Sequence, residues 1–502
     1  MIANDLREWI DLLRAEGELA DVHVEVDPHL EITEIADRTV KAGGPALLFH
    51  QVKGSSHPLL INQFGSERRM CLAFGVERLD DVAKKLSDVL ELTPPQGLAD
   101  KVRTLGKLKS FADALPKTVS KAPCQEIVLD TPDLDRLPIQ TAWPDDGGPF
   151  LTMVSVITKD ARTGGRNVGM YRMHKYDART TGLHWQIHKD AAADWREGAG
   201  RMEVAVALGT DPVTAYAGSC PLPKHIDEIM VAGFLRGRPV DLVQCKTVDL
   251  KVPANAEIVL EGYCERGELR REGPFGDHTG YYTPADDFPV FHLTAMTMRR
   301  DAIYPSIVVG PPPTEDEWLG KATERIFLPA LRTTVPEIVD YDLPAAGAFH
   351  NCVILSIRKA YPQHARKVMH AVWGTGLMSL TKYVIIVDEW VDVHDYEQVA
   401  WQVGANTDPA RDVEHAMGPL DQLDHAPSLP LFGGKLGIDA TRKWESEGYL
   451  RGWPEVNRMS DEVRAQVDAR WDSLGIALPT RTGAAQPAPP GEPPRRRRGW
   501  FR

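Results

Sequence analysis

No two of the six cysteines in this chain stand at CxxC spacing; Cys71, Cys124, Cys220, Cys245, Cys264 and Cys352 are far apart. With no signal-like N-terminus, that pattern reads as reduced thiols in a cytoplasmic protein. No apolar run approaches the roughly 20 residues needed to span a bilayer, so no stable membrane insertion is expected. A Walker A loop is missing, and so is a GxGxxG opening a helix after a strand, which leaves ordinary nucleotide folds without support. GxSxG is also missing, so a hydrolase elbow is not indicated. Positive charge is in deficit: 58 Lys and Arg against 71 Asp and Glu give a net charge of −13. That balance argues against nucleic-acid binding and says nothing of the fold.

What is present is an ordinary globular composition, 43% hydrophobic and 26% charged, in a chain of 502 residues. One hydrophobic core stops growing well below that size, so two or three domains are expected. The spacing of Leu6, Trp9, Ile10 and Leu13 predicts a first helix, with Asn4 as its N-cap. Short apolar runs then alternate with helix signals, Ile32–Val40 and Ala46–Phe49 among them, giving an N-terminal α/β domain over residues 1–118. Residues 119–315 change to short strands with frequent turn residues: Ile127–Leu129, Thr152–Thr158, Arg166–Tyr171, Met202–Leu208, Thr214–Tyr216, Val240–Val243, Ile258–Leu260, Val290–Met298 and Ile303–Val309. That number of strands suggests a barrel or sandwich, interrupted by one helix at Ile226–Leu235. Residues 316–475 return to alternation, with strands Cys352–Ile357 and Tyr383–Val387 and helices after Pro362 and around Tyr396. They read as a C-terminal α/β domain. Residues 476–502, rich in Pro, Ala and Gly and carrying Arg495–Arg498, read as a disordered tail.

The chemistry concentrates in Arg271-Glu272-Gly-Pro-Phe-Gly-Asp277-His278-Thr-Gly-Tyr281-Tyr282. Two carboxylates and a histidine lie within seven residues on a segment whose glycines and proline cannot continue a helix or a central strand. Such a loop can hold carboxylates close together and split their pKa values for acid–base work. Taken alone it reads more readily as a solvated turn; Glu261-Gly-Tyr just upstream and a second polar cluster shift the weight. That cluster is Arg166-Asn167-Val-Gly-Met-Tyr171-Arg172 followed by Leu183-His184-Trp185-Gln186-Ile187-His188-Lys189. A guanidinium on an apolar strand, as at Arg172, normally meets a carboxylate or phosphate. Glu228, on the helix, would by itself be solvent-facing. An Asn oxygen, a Glu carboxylate and one imidazole nevertheless form a mostly hard donor set, suited to Mn²⁺ or Mg²⁺ and poor for structural zinc.

These segments, together with VPANAEIVLEGY, GPPPTED and GGKLGIDATRKW, resemble in order the motifs of the UbiD family of decarboxylases, from Asp5 to about Trp444. The resemblance implies an α/β (α+β) fold: an N-terminal α/β domain, a central FMN-binding split β-barrel and a C-terminal α/β oligomerisation domain. It implies prenylated FMN as cofactor, with Mn²⁺ held by Asn167, His188 and Glu228 and K⁺ or Na⁺ nearby. Met170, Tyr171, Arg172, His184, Trp185 and Gln186 would line the flavin, and Lys382 would reach its phosphate. Gln186 and Lys189 stand where other members vary. Arg172, Glu272 and Asp277 match the family's catalytic network, with desolvation and Glu272 expected to raise the pKa of Asp277.

The implied reaction is the reversible, non-oxidative decarboxylation of an aromatic carboxylic acid. The chain is most similar to the menaquinone-biosynthesis branch, acting on 1,4-dihydroxy-6-naphthoate or a prenylated form. Alternatives are a 4-hydroxy-3-polyprenylbenzoate or other phenolic-acid decarboxylase and, from another class, a non-catalytic flavin-binding protein. The implied partners are a prenyl-flavin synthase as cofactor supplier and further copies of the chain, as a dimer or hexamer. Pro427–Gly434, with Leu431 and Phe432, is a candidate pocket wall.

Overall fold

The computed structural model describes residues 2–90, 112–160, 162–185, 192, 195–196, 200–222 and 226–476. The expected tail lies outside the described residues from 477 onward, as do Gln186, His188 and Lys189. The chain forms two compact units. The first comprises Met1–Thr334 with Leu343–Asn351 and Pro419–Gly433; the second takes Val335–Asp342, Cys352–Gly418 and the chain from Gly434 onward. The fold is mixed α/β, built on several separate sheets. Among the described residues no helix is long and apolar enough to cross a membrane.

The first helix, Leu6–Ala15, buries Leu6, Trp9, Ile10 and Leu13, the face its spacing predicts. Its cap is Asp5 rather than Asn4: Asp5 Oδ1 accepts the Glu8 N–H at 2.9 Å, while the Asn4 N–H donates to the Glu8 carboxylate. A four-stranded sheet follows, in the order Leu19–Val22, Ala46–Phe49, Leu59–Ile61, Tyr304–Pro305. Of the expected strand Ile303–Val309, only Tyr304–Pro305 pairs.

The site is carried by a seven-stranded sheet, in the order Thr180–Gly182, Asp286–Met298, Ile258–Glu272, Met202–Leu208, Ser155–Lys159, Arg166–Met170, with Ile127–Leu129 also paired to Asp286–Met298. Side chains alternate between faces along a strand, and here both faces are covered. Val204, Val206 and Leu208 enter one core with Leu260 and Phe291. Ala205 and Ala207 enter another with Val259 and with Ile229 of the helix Glu228–Arg236. A sheet buried on both faces reads as a continuous apolar run, which is how Val204–Leu208 appears in the sequence.

Two expectations fail for identifiable reasons. Thr214–Tyr216 is not a strand but part of the helix Pro212–Ala217: Pro212 sits in its first turn and Asp211 caps it, accepting the Thr214 N–H at 3.1 Å. Asp-Pro is a helix-start signal, and here it outweighs the β-propensity of Val, Thr and Tyr. The helix Asp316–Thr334 was not anticipated, because Pro329 lies inside it and three prolines precede it.

The second unit holds a five-stranded sheet, ordered Ile338–Asp342, Cys352–Ile357, Tyr383–Asp388, Phe432–Asp439, Val413–Pro419. Cys352–Ile357, Tyr383–Asp388 and Phe432–Asp439 run parallel. The helix His364–Trp373 buries Ala365, Val368, Met369 and Val372, the face its periodicity marks.

The long pair Ile258–Glu272 and Asp286–Met298 shifts register between Glu261 and Gly262. A Cβ at Gly262 would lie 2.0 Å from the carbonyl oxygen of His292. Backbone cannot yield as a side-chain tip can, so Gly262→Ala is expected to cost about 3 kcal/mol, the upper end of ordinary overpacking. Urea unfolding measures this; a variant as stable as the parent would show that the bulge tolerates a methyl group.

Candidate active site

Arg172 lies two residues beyond the strand Arg166–Met170, and Glu272 is the last residue of the strand Ile258–Glu272. The chain beyond Glu272 forms a small hairpin, Phe275–Gly276 paired with Tyr282–Thr283, whose turn carries Asp277 and His278. The hairpin is pinned from below. Asp146 accepts the Gly276 N–H at 2.8 Å, and its other oxygen accepts the Trp143 N–H at 2.9 Å. Trp143 packs so closely that a Cβ at Gly276 would lie 2.2 Å from the indole ring. Only glycine fits there.

This frame brings Arg172, Glu272 and Asp277 together. Arg172 Nε donates to Glu272 Oε1 at 2.9 Å, and another guanidinium nitrogen donates to Asp277 Oδ2. The guanidinium lies over the Phe275 ring, 4.6 Å from its centroid. His184 Nδ1 is 3.1 Å from Glu272 Oε2; a carboxylate only accepts, so Nδ1 carries the proton. The His184 backbone N–H donates to the Arg172 carbonyl. Asp277 also accepts from the Thr283 hydroxyl at 2.9 Å, and from both Nδ1 (2.9 Å) and the backbone N–H (2.8 Å) of His278. Glu272 and Asp277 are buried.

Burial alone would push both carboxyl groups up. For Glu272 the hydrogen bond from His184 and the charge of Arg172 win, holding it at about 2. For Asp277, Arg172 and His278 together outweigh burial and hold it well below the usual carboxylate range. The expectation of a raised Asp277 pKa is therefore corrected. It set the two carboxylates against each other, whereas a shared guanidinium lies between them and neutralises the repulsion. His184 moves down, through burial and then the Arg172 charge.

The second polar group forms on the strand Arg166–Met170. Asn167 and Glu228 are both buried. Glu228 opens the helix Glu228–Arg236, and its Oε2 accepts the Val168 N–H at 3.0 Å, placing it beside Asn167. The isolated-helix reading of Glu228 as solvent-facing is thus overturned by tertiary packing. Asn167 Nδ2 donates to Thr158 Oγ1 at 3.3 Å. The two oxygens suit a hard divalent cation. His188 and Gln186 lie outside the described residues. Tyr171 and Trp185 are buried in the same core, and Met170 is half-buried. The Trp185 indole N–H is buried without a hydrogen-bond partner among the described residues. An orphaned buried donor fits a cofactor rich in acceptors. Lys382 belongs to the second unit, next to Tyr383. Glu261 is a structural strap instead, accepting from the backbone N–H groups of Lys246 and Thr247.

Several residues at this site were not assigned a role from sequence: Phe275, Thr283, Phe288 and His278. Phe275 and Phe288 are ring supports, the latter 4.1 Å from the His184 ring. His278 was visible in the motif, but its partners come from distant segments.

Three family models match the chain, each described as part of 3-octaprenyl-4-hydroxybenzoate carboxy-lyase: an N-terminal domain over residues 10–88, a Rift-related UbiD domain over 117–312 and a C-terminal domain over 317–440. An uncharacterized protein of Archaeoglobus fulgidus is 54% identical over 479 residues, covering 94% of this chain and 99% of that protein. Vanillic acid decarboxylase of Sedimentibacter hydroxybenzoicus, in its closed form, aligns with a TM-score of 0.83 at 27% identity, covering 95% of this chain and 100% of that one. The UbiD-class enzyme HmfF of Pelotomaculum thermopropionicum, in an evolved dimeric form in complex with prFMN, aligns with a TM-score of 0.74 at 29% identity over 92% of this chain and 98% of that one.

Glu272 links the site to acid stability. Its pKa falls from 4.5 to about 2 on folding, so it contributes stability that is present above pH 4.5 and lost as pH falls through 2. The shift corresponds to about 3 kcal/mol. Glu272→Gln should therefore flatten the acid limb of stability between pH 4.5 and 2, read by chemical unfolding across that range. An unchanged limb would show that Glu272 is not held ionised by its neighbours.

Proposed function

Because the chain belongs to the UbiD family of prenylated-FMN-dependent decarboxylases, we propose that it catalyses the reversible, non-oxidative decarboxylation of 1,4-dihydroxy-6-naphthoate, or a prenylated form, in menaquinone formation. The observation that carries the enzymatic reading is Arg172, its side chain only 9% exposed, bonded at once to Glu272 and Asp277. The likeness of the motifs supports the naphthoate branch. The family description, which names a polyprenyl hydroxybenzoate, and the vanillate-decarboxylase fold support the phenolic-acid alternative.

In this reading the flavin sits on the 119–315 segment. Asn167, His188 and Glu228 hold Mn²⁺, K⁺ or Na⁺ lies nearby, and Met170, Tyr171, His184, Trp185 and Gln186 line the ring. When bound, prenylated FMN supplies an electron sink for the pair left as CO₂ departs. Everything else falls to the chain. Arg172 orients the substrate carboxylate and Glu272 through charge-assisted bonds that gain strength in a dry site. Phe275 fixes the guanidinium plane from one face. Asp277 hands a proton to the carbon that loses CO₂. A prenyl-flavin synthase supplies the cofactor, and the working form is a cytoplasmic homo-oligomer.

The test is CO₂ release by protein co-expressed with a prenyl-flavin synthase and supplied with Mn²⁺, using 1,4-dihydroxy-6-naphthoate, 4-hydroxybenzoate, 3,4-dihydroxybenzoate and vanillate. Release from the naphthoate is expected, with Asp277→Asn keeping its flavin and losing about 10²–10⁴-fold in rate. Release from the hydroxybenzoates alone would move the substrate to phenolic acids. Full activity in Asp277→Asn would remove that residue from the reaction.

A further inference from the structure

Asp277 has to deliver a proton, yet in this structure it is an ion-paired carboxylate, so something else must load it. We propose that His278 is the residue that does so, a positioning residue that stores the proton as an imidazolium and passes it to Asp277. The proposal rests on the decarboxylase reading above.

The geometry singles out His278 by elimination. Asp277 Oδ2 is held by Arg172 and by the Thr283 hydroxyl. A guanidinium does not give up its proton in a protein, and an aliphatic hydroxyl is no acid at neutral pH. Glu272 is ionised and His184 is shifted toward its neutral form. The other oxygen, Oδ1, receives His278 Nδ1 at 2.9 Å and the His278 backbone N–H at 2.8 Å.

The surroundings of the imidazole suit it to remain charged. From its own turn it faces Asp277. The start of the helix Asp316–Thr334 contributes Asp316, whose Oδ1 accepts from the Thr314 hydroxyl. From the segment Leu343–Asn351 come the edge of Phe349 and the ring of His350, 5.9 Å away centroid to centroid. From Pro419–Gly433 comes Asp421, 3.3 Å from His350 Nε2. Three carboxyl groups thus face one imidazole, and the sole nitrogen base among these neighbours is tied to one of them. Burial pulls His278 down, but Asp277, then Asp316 and Asp421, lift it to about 9. The side chain keeps 22% of its exposure, so water can restore its proton.

The transfer balances. The Nδ1–H bond breaks, its electron pair stays on nitrogen, and the proton joins Asp277 Oδ1. The carboxylic acid then protonates the ring carbon, where the electron pair of the broken bond to CO₂ becomes the new C–H bond. One solvent proton returns to His278 per CO₂ released.

The test uses the holoenzyme and whichever acid of the panel it turns over. His278→Gln keeps a donor toward Asp277 but no transferable proton, so a merely structural role survives it. Expected are unchanged flavin content, a kcat about 10²-fold lower, and loss of the alkaline limb that the parent shows near pH 9. Asp316→Asn and Asp421→Asn keep His278 and should move that limb to lower pH. Independently of turnover, NMR of ring-labelled histidine should show one imidazole titrating near pH 9 that is missing from His278→Gln. Parent-like rate and limb in His278→Gln would overturn the proposal, as would a His278 that titrates at its ordinary 6.5. Silence from every acid, with the high titration intact, would sink the decarboxylase reading and proton delivery with it, leaving the charged pair standing.

Discussion

One guanidinium buried between two carboxylates sets the terms for the rest of the first unit. Taking three charges out of water is costly, and the arrangement holds only if every lone pair and donor finds a partner. Arg172 meets Glu272 and Asp277, Glu272 meets His184, and Asp277 meets Thr283 and His278. These groups come from three separate stretches of chain, around Arg172, His184 and Glu272–Thr283, so the ion network can form only once the sheet is in register. The shift at Glu261 and Gly262 sets where Glu272 arrives, and the pinned hairpin sets where Asp277 turns back. Removing Arg172 would leave two buried carboxylates facing each other without the charge that holds them ionised.

The same network divides the chemistry. Glu272 and Asp277 differ little in residue type, yet one is paired with a neutral imidazole and the other with a charged one. A site with a proton-poor side and a proton-rich side results, and the difference arises from what packs behind each imidazole. Phe288 packs against His184, whereas Asp316, His350 and Asp421 surround His278. Roles in acid–base work follow from such second neighbours as much as from the carboxylates themselves.

Much of this was legible in the sequence because it is local. The first helix, the strand Cys352–Ile357 and the helix after Pro362 follow from spacing, and Arg172 was marked as needing an acidic partner. The failures share a cause. Asp211-Pro212 is a helix start that short-range β-propensity concealed, and the helix Asp316–Thr334 was hidden by its prolines. Glu228 looked like a surface residue because a helix pattern alone does not show that Val168 lies over its first turn. The direction of the Asp277 shift was misjudged because the sequence shows two neighbouring carboxylates but not the guanidinium inserted between them. His278 acquires its character from Asp316 and Asp421, which lie 38 and 143 residues further on (316 − 278 and 421 − 278), and no periodicity reports such a meeting.

The hairpin around Gly276 also bears on how such a catalyst could be redesigned. Its floor, made of the Trp143 indole and the Asp146 carboxylate, leaves no volume for an added side chain and no slack in the main chain. A library randomised across Phe275–Asp277 would mostly yield misfolded protein. The opposite wall has more latitude: Phe349 and His350 come from a separate return of the chain and touch the turn by ring edges rather than by backbone. Selectivity for a new acid is therefore better sought at Phe349, where shape can drift, than at His350, whose bond to Asp421 stands behind the charge of His278.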